Sequence, residues 1–330
     1  MYLVNGTSAT NGTNILHCLS TYNFGNVFLS IFTITVMLVG LPGNIVALWI
    51  FCFRMKCWKP NTVFLFNLVL ADFFLLISVP FRIDLYLQDN YWRFGPVWCR
   101  INLFMLAVNR SASIGFMTVV ALDRYFKVVH PLHWISRMTL TQAGWLTGLI
   151  WMAVVALRIP LLATNLHYQD ENVSLCRSFN SYEVIPPTIV VHYVAFVLEF
   201  FLPWFMLLFC SARIVCILRQ RGMDKKKNVR RAIRAVGVIS SVFTICFMPN
   251  IVTGLGAVYI KYFYPNDCLY YTLLTEIFMV CIGFTYLNSA LDPLIYVFSS
   301  AMYRDALMAA ISQLGFVRKY VRAAGNRETK

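Results

Sequence analysis

Charge is scarce in this chain. Only 13% of its 330 residues are Asp, Glu, Lys or Arg, and acids are outnumbered two to one by bases, 14 against 28. Histidine is scarcer still: His17, His130, His133, His167 and His192 are scattered, with no nucleophile–base pair or clustered metal ligands, so nothing resembles a catalytic set and the chain is not expected to be an enzyme. No internal or inverted repeat is evident, which weakens a reading as an organic-anion transporter or channel. Residues 1–23 are polar and lack a basic-then-apolar start, so no cleavable leader is expected and the first apolar block serves as the targeting signal. No cysteine follows residue 300, which removes a palmitoyl anchor from the tail.

What is present is apolar. Hydrophobic residues make up 59% of the chain, far above an ordinary soluble domain. They form seven blocks, near 25–53, 61–87, 97–122, 141–162, 190–217, 233–260 and 270–298. Each exceeds the roughly 20 residues a bilayer-crossing helix needs, whereas membrane strands alternate over about 10. The expected fold is an all-α membrane protein, a seven-helix bundle over 24–300. It follows an external segment, 1–23, and precedes a cytoplasmic segment, 301–330. In that last segment AMYRDALMAAISQLGFVRKYVR has the spacing of an amphipathic eighth helix on the inner membrane surface.

Basic residues set the expected orientation. Three lie at 54–59, three at 124–137, nine at 213–234 and six at 304–330, so 21 of 28 fall on one side if residue 1 is outside. The net charge of +14 is therefore mostly a topological signal, and nucleic acid is not an expected partner. The plasma membrane is the expected location. Sequons at Asn5, Asn11 and Asn172 fall on the outer side and are expected to be glycosylated. Cys18, Cys99, Cys176 and Cys268 also fall there, and four cysteines allow three pairings. Cys99 opens the third span and Cys176 lies in the loop before the fifth, so those two are paired here. Cys18 would then join Cys268.

Each span carries its own short motif: Gly43-Asn44; LVLAD ending at Asp72; Asp123-Arg124-Tyr125 closing span three; Trp151; Pro203; CFMP at 246–249; and DPLIY at 292–296. Taken in order, they resemble a rhodopsin-like (class A) G-protein-coupled receptor over nearly the whole chain. The resemblance implies that Asp123, Arg124, Tyr125, Phe247, Pro249, Asp292, Pro293 and Tyr296 serve activation, with Arg124 released to meet a heterotrimeric G protein, and arrestin as a further partner. Polar groups at mid-membrane depth should face one another. In the family, the positions of Asp72, Ser113, Asn288 and Asp292 gather around an allosteric sodium ion, and no other cofactor is expected. Three residues depart from the family pattern: Phe247 stands for its usual tryptophan, Ser211 for a tyrosine low in span five, and Asp292-Pro293 for Asn-Pro.

An arginine in an apolar helix is costly unless it is paired or hydrated. Arg110 precedes Arg124 by 14 residues, about 21 Å of helix, and lies about 40° from it around the axis. If Arg124 faces the bundle, so does Arg110, at the floor of an outward pocket. Arg82, Arg158 and Arg177 share that half with few acids, and guanidinium groups match carboxylates bidentately. The excess points to an anionic ligand, while internal pairing of Arg110 with Glu199 or another acid is the alternative. Family logic excludes two other ligands. Residues 270–298 hold no lysine for a retinal Schiff base, and span three carries Arg110 where aminergic receptors place an aspartate.

GLPGNIVALWIFCF, YWRFG, CRINLFMLAVNR, LEFFLP and FTYLNSALDP look like the hydroxycarboxylic acid and oxoeicosanoid receptor group. That resemblance implies Arg110 as carboxylate anchor, assisted by Tyr286 and Ser178, with Arg82, His192, Tyr86 and Trp92 nearby, and an inhibitory G protein that lowers cAMP. A span-six arginine used for small acids is replaced by Gly254. The expectation is therefore a carboxylate lipid of the oxo- or hydroxyeicosanoid type, whose tail occupies space the glycine opens. A small carboxylate such as lactate, a ketone body or niacin is the alternative.

Overall fold

The computed structural model describes residues 24–55, 57–164, 167–170, 173–176, 187–220, 227–264 and 267–313. Its long helices are α1 (Phe24–Trp49), α2 (Pro60–Leu87), α3 (Gly95–Val129), α4 (Leu140–Arg158), α5 (Pro187–Gln220), α6 (Lys227–Phe263) and α7 (Cys268–Ser299). All seven are long and apolar enough to cross a membrane. A further helix, α8, covers 301–313. The bundle is the one the hydropathy blocks imply, with the largest boundary shifts at the end of α3 and at the start of α6, which begins at Lys227. α3 continues to Val129, so Asp123-Arg124-Tyr125 lies within the helix, not at its end.

Local chemistry explains several ends. Lys59 is extended and Pro60 opens α2, where a missing N–H costs nothing. Gly95 has φ +74°, a left-handed conformation suited to glycine, and Pro96 then starts α3. α4 begins with a capping box: Gln142 N–H donates to Thr139 Oγ1 at 3.3 Å, and Thr139 N–H donates to Gln142 Oε1 at 3.0 Å. α1 ends in a π-helical turn, Ile50–Arg54, and Arg54 then donates to Gln313 of α8 at 2.5 Å.

α3 is the hub, touching α2, α4, α5 and α6, while α1 packs on α2 and α7. Small residues permit the closest approach. A Cβ on Gly40 would sit 3.2 Å from Ala290 Cα, and one on Gly43 would sit 2.9 Å from Pro293 Cγ. The main core joins Phe64, Leu68, Phe116, Met117, Phe200, Phe243, Phe247 and Tyr296. Outward faces keep exposed apolar residues such as Ile31, Leu38, Trp145, Leu202 and Phe205, as contact with lipid tails requires.

The structure adds one element that hydropathy did not show. Strands β1 (His167–Asp170) and β2 (Val173–Cys176) form an antiparallel hairpin between α4 and α5, with His167 opposite Cys176. A disulfide joins Cys176 to Cys99 near the start of α3. Trp92 fastens the same hairpin, because its N–H donates to Ser174 O at 2.7 Å and its carbonyl accepts from Ser174 Oγ at 2.6 Å. Cys18, Asn5, Asn11, Asn172 and Ser178 lie outside the described residues, as do the side chains of Cys268 and His192.

Candidate functional site

Arg110 lines a narrow cleft together with Ile114, Phe196, Glu199, Phe200, Phe247, Asn250 and Ile251. These residues come from α3, α5 and α6. The helical-phase reasoning that turned Arg110 inward is met. Its guanidinium carbon stands 4.2 Å from the centroid of the Phe196 ring, a cation–π contact. Among the described residues no carboxylate or carbonyl lies within bonding distance of Arg110.

Glu199, the acid that seemed able to neutralise it, is engaged elsewhere. Arg158 of α4 is fully buried and forms an ion pair with Glu199 of α5. Ser111 completes the arrangement: its Oγ accepts from Arg158 Nε at 3.1 Å and Nη2 at 2.7 Å, and donates to Glu199 Oε2 at 2.9 Å. Arg158 therefore belongs to a triad behind the cleft and is not a second ligand-facing cation. Nothing in the spacing of the three residues reveals their pairing, and Asn250, one residue past Pro249, carries no motif that would mark it as a cleft residue.

Among the described residues, Arg82, Tyr86, Trp92 and Tyr286 do not line this cleft. Arg82 is 7% exposed, its Nε is buried without a partner, and it neighbours Tyr286. Tyr86 neighbours Tyr286 as well. That group sits between α2 and α7, beside an apolar cluster of Val36, Leu75, Val79 and Tyr286. Trp92 is 1% exposed and occupied by the hairpin, and its indole donates to Gly95 O at 2.8 Å. Gly254 does not open space. A Cβ there would lie 3.0 Å from Phe278 Cε2 and 3.3 Å from Cδ2, so an α7 ring already fills the gap a lipid tail was to occupy.

Below the cleft lies a buried polar network. Asp72 Oδ1 accepts from Ser289 at 2.5 Å and Oδ2 from Tyr296 at 3.1 Å. Asn44 Nδ2 donates to Ser289 O at 2.8 Å, and Asn288 Nδ2 to Asp292 Oδ2 at 3.2 Å. Three buried oxygens in this network have no hydrogen-bond partner: Ser113 Oγ, Asn288 Oδ1 and Asp292 Oδ1. Two carboxylates with spare oxygen ligands suit a hard cation. Trp151 links α4 to α2 by donating to Asn67 Oδ1 at 2.8 Å.

At the α8 end, Asp123 is bound mainly by Lys127, at 2.7 Å, and its Arg124 contact is longer, at 4.0 Å. Arg124 instead donates to the carbonyl of Ser299 at 2.8 Å, reaching the end of α7. Tyr125 pairs with His130 at 3.3 Å. Where the family places a tyrosine, Ser211 shares a hydrogen bond with Ser240 at 2.9 Å, joining α5 to α6. Phe247, in the tryptophan position, meets Phe243 edge-on with centroids 5.3 Å apart, and Phe243 stacks on Phe200.

Seven apolar helices, the α3–hairpin disulfide and the inward Arg110 above a buried acid network define a seven-helix receptor. The chain belongs to the 7 transmembrane receptor (rhodopsin family), whose model matches residues 43–296. It is accordingly a G-protein-coupled receptor of the plasma membrane, with a ligand and a G protein as partners, and not an enzyme. Within the family it is 42% identical to hydroxycarboxylic acid receptor 2 of Rattus norvegicus over 275 residues, 83% of this chain and 75% of that one. It is 39% identical to oxoeicosanoid receptor 1 of Homo sapiens, over 79% of this chain and 66% of that one. It is 34% identical to the 12-(S)-hydroxy-5,8,10,14-eicosatetraenoic acid receptor of Mus musculus, over 85% and 88%.

Proposed function

We propose that this receptor responds to a carboxylate bound at Arg110, with residue 1 outside the cell, and that it lowers cAMP through an inhibitory G protein. The observation that carries the reading is a guanidinium in a mostly apolar cleft, stacked on Phe196, with no acid bound to it among the described residues. A charge so placed is stabilised by an anion that enters with its own apolar body. The names of the relatives, which include hydroxycarboxylic acid and eicosanoid receptors, supply the same ligand chemistry. Arg124, placed at the α8 end, would leave Ser299 to meet the G protein, with Phe247, Pro249, Pro293 and Tyr296 as the moving parts. Arrestin would bind the same face. Tyr286, Arg82, Tyr86, Trp92, Ser178 and His192 belong to the entry side of this reading. Asp72, Ser113, Asn288 and Asp292 would hold a sodium ion whose charge offsets theirs, favouring the inactive bundle.

The geometry favours a compact hydroxy acid over a long lipid. The cleft holds only about 10 Å³, room for about one water, and Phe278 occupies the space beside Gly254. A second reading, an eicosanoid, is favoured by the apolar lining of Ile114, Phe196, Phe200, Phe247 and Ile251. The test is cAMP inhibition by 3-hydroxybutyrate, 3-hydroxyoctanoate and 5-oxo-eicosatetraenoate on wild type and Arg110→Ala. Loss of charge-assisted hydrogen bonds should weaken the active acids by roughly tenfold to a hundredfold. A variant at normal surface level with unchanged potency would refute the anchor. A wild type that answers only to the eicosanoid selects the second reading.

A further inference from the structure

We propose that Arg158 is a positioning residue: by holding Glu199 through Ser111, it keeps that carboxylate off Arg110 and leaves the cleft able to accept an anion. This rests on the carboxylate reading above.

Two charged groups, Arg110 and Glu199, line the cleft and a third, Arg158, lies buried behind it, leaving an excess of one positive charge. Which guanidinium keeps the carboxylate decides whether the excess faces the cleft or is buried behind it. Glu199 is within reach of either. It follows Phe196 by three residues on α5, so both share one face of that helix, and the Phe196 ring already lies against the Arg110 guanidinium at 4.2 Å. Glu199 also lines the same cleft as Arg110.

Three features hold it on the other side. Arg158 is 0% exposed, so its charge cannot turn to water, and it forms an ion pair with Glu199. Ser111 has its acceptor side filled by Arg158 Nε and Nη2 and donates its hydroxyl to Glu199 Oε2. Ser111 is also the residue after Arg110, so one α3 peptide turns the cation into the cleft and the hydroxyl away from it. With Arg158 removed, Glu199 would be a partly buried carboxylate without its cation, and the nearest replacement is Arg110. Internal neutralisation of Arg110 would then compete with the ligand for the same guanidinium.

The structure thus assigns Arg158 an effect on ligand potency that passes through Glu199. A structural brace would not behave this way, because restoring potency by deleting a second member of the brace makes no sense for it. The experiment measures cAMP inhibition by the same three acids, at matched surface level, for Arg158→Met, Glu199→Gln and the double variant. Arg158→Met should lose about tenfold or more in potency, as when a charge-assisted contact is given up. Arg158→Met/Glu199→Gln should return to within about threefold of wild type, because no carboxylate remains to compete. Unchanged potency in Arg158→Met, or a double variant as weak as the single one, overturns the proposal. Should Arg158→Met fail to reach the surface, Ser111→Ala gives the same comparison. A drop that Glu199→Gln restores supports the proposal, and a drop it does not restore, or no drop, overturns it. Failure of the underlying reading looks different. A wild type silent to all three acids, or Arg110→Ala at full potency, removes the carboxylate site and this inference with it.

Discussion

Replacing Gly254 by valine separates two accounts of the middle of α6. If the glycine made room for a ligand tail, valine would leave the folded receptor intact and weaken only long acids. The packing says otherwise. A Cβ at this position meets Phe278 Cε2 at 3.0 Å, and a β-branched side chain cannot rotate its methyls away from α7 because χ1 in a helix is nearly fixed. Overpacking of this kind costs about 1–3 kcal/mol. Helix propensity returns only about 0.4 kcal/mol, the difference between glycine and valine. The net is a destabilisation of about 0.6–2.6 kcal/mol, or a fall in melting temperature of about 1–4 °C. Phe278→Ala removes the ring that valine strikes, so Gly254→Val in that background should cost about 1–2 kcal/mol less than alone. The assay is thermal unfolding of purified receptor for the four members of the cycle, alongside acid potency in cells. A Gly254→Val receptor that melts with wild type and loses only 5-oxo-eicosatetraenoate potency would refute the packing account and restore the tail channel.

Other outcomes follow from the same structure. Sodium chloride, compared with choline chloride, should raise the melting temperature of wild type but not of Asp72→Asn or Ser113→Ala, by about 1.4 kcal/mol at tenfold the dissociation constant; equal response in all three removes the ion from the network. Cys99→Ala should cost about 2–5 kcal/mol and most of the surface expression, since the bridge closes a 77-residue separation; a variant with wild-type stability would mean the hairpin is held without it. Burial lowers the pKa of His167, which contacts Ser174 Oγ at 3.0 Å in the hairpin, below its ordinary 6.5. The unfolded chain then takes up the proton more readily, so this contribution is full above 6.5 and fades as pH falls below it. The wild-type melting temperature should drop from pH 7 to 5, and His167→Gln should flatten that slope; identical slopes would contradict the assignment.

Much of the architecture was legible because its causes are local to the chain. A run of some 20 apolar residues has no stable place but a membrane-spanning helix, and the seven motifs in order identified which bundle it was. The inward aim of Arg110 was readable for the same reason: 14 residues at a fixed 100° leave two arginines on one side of a cylinder. The Cys99–Cys176 bridge came from placement along the chain. Trp92 and Tyr286 carry nothing in their spacing that reveals whether they meet Arg110. The structure puts the first against the hairpin and the second beside Arg82 and Tyr86, and neither lines the cleft.

The distinction lies in the range of the forces involved. The chain alone determined seven spans, their boundaries to within a few residues, and an arginine whose burial demands a partner, because hydropathy and helical phase act along one element. Only the tertiary structure decided that Glu199 goes to Arg158 and not to Arg110, and that Phe278 fills the space beside Gly254. Both turn on residues more than twenty positions apart brought together across helices, where the winner among several chemically equal arrangements is set by how the helices pack.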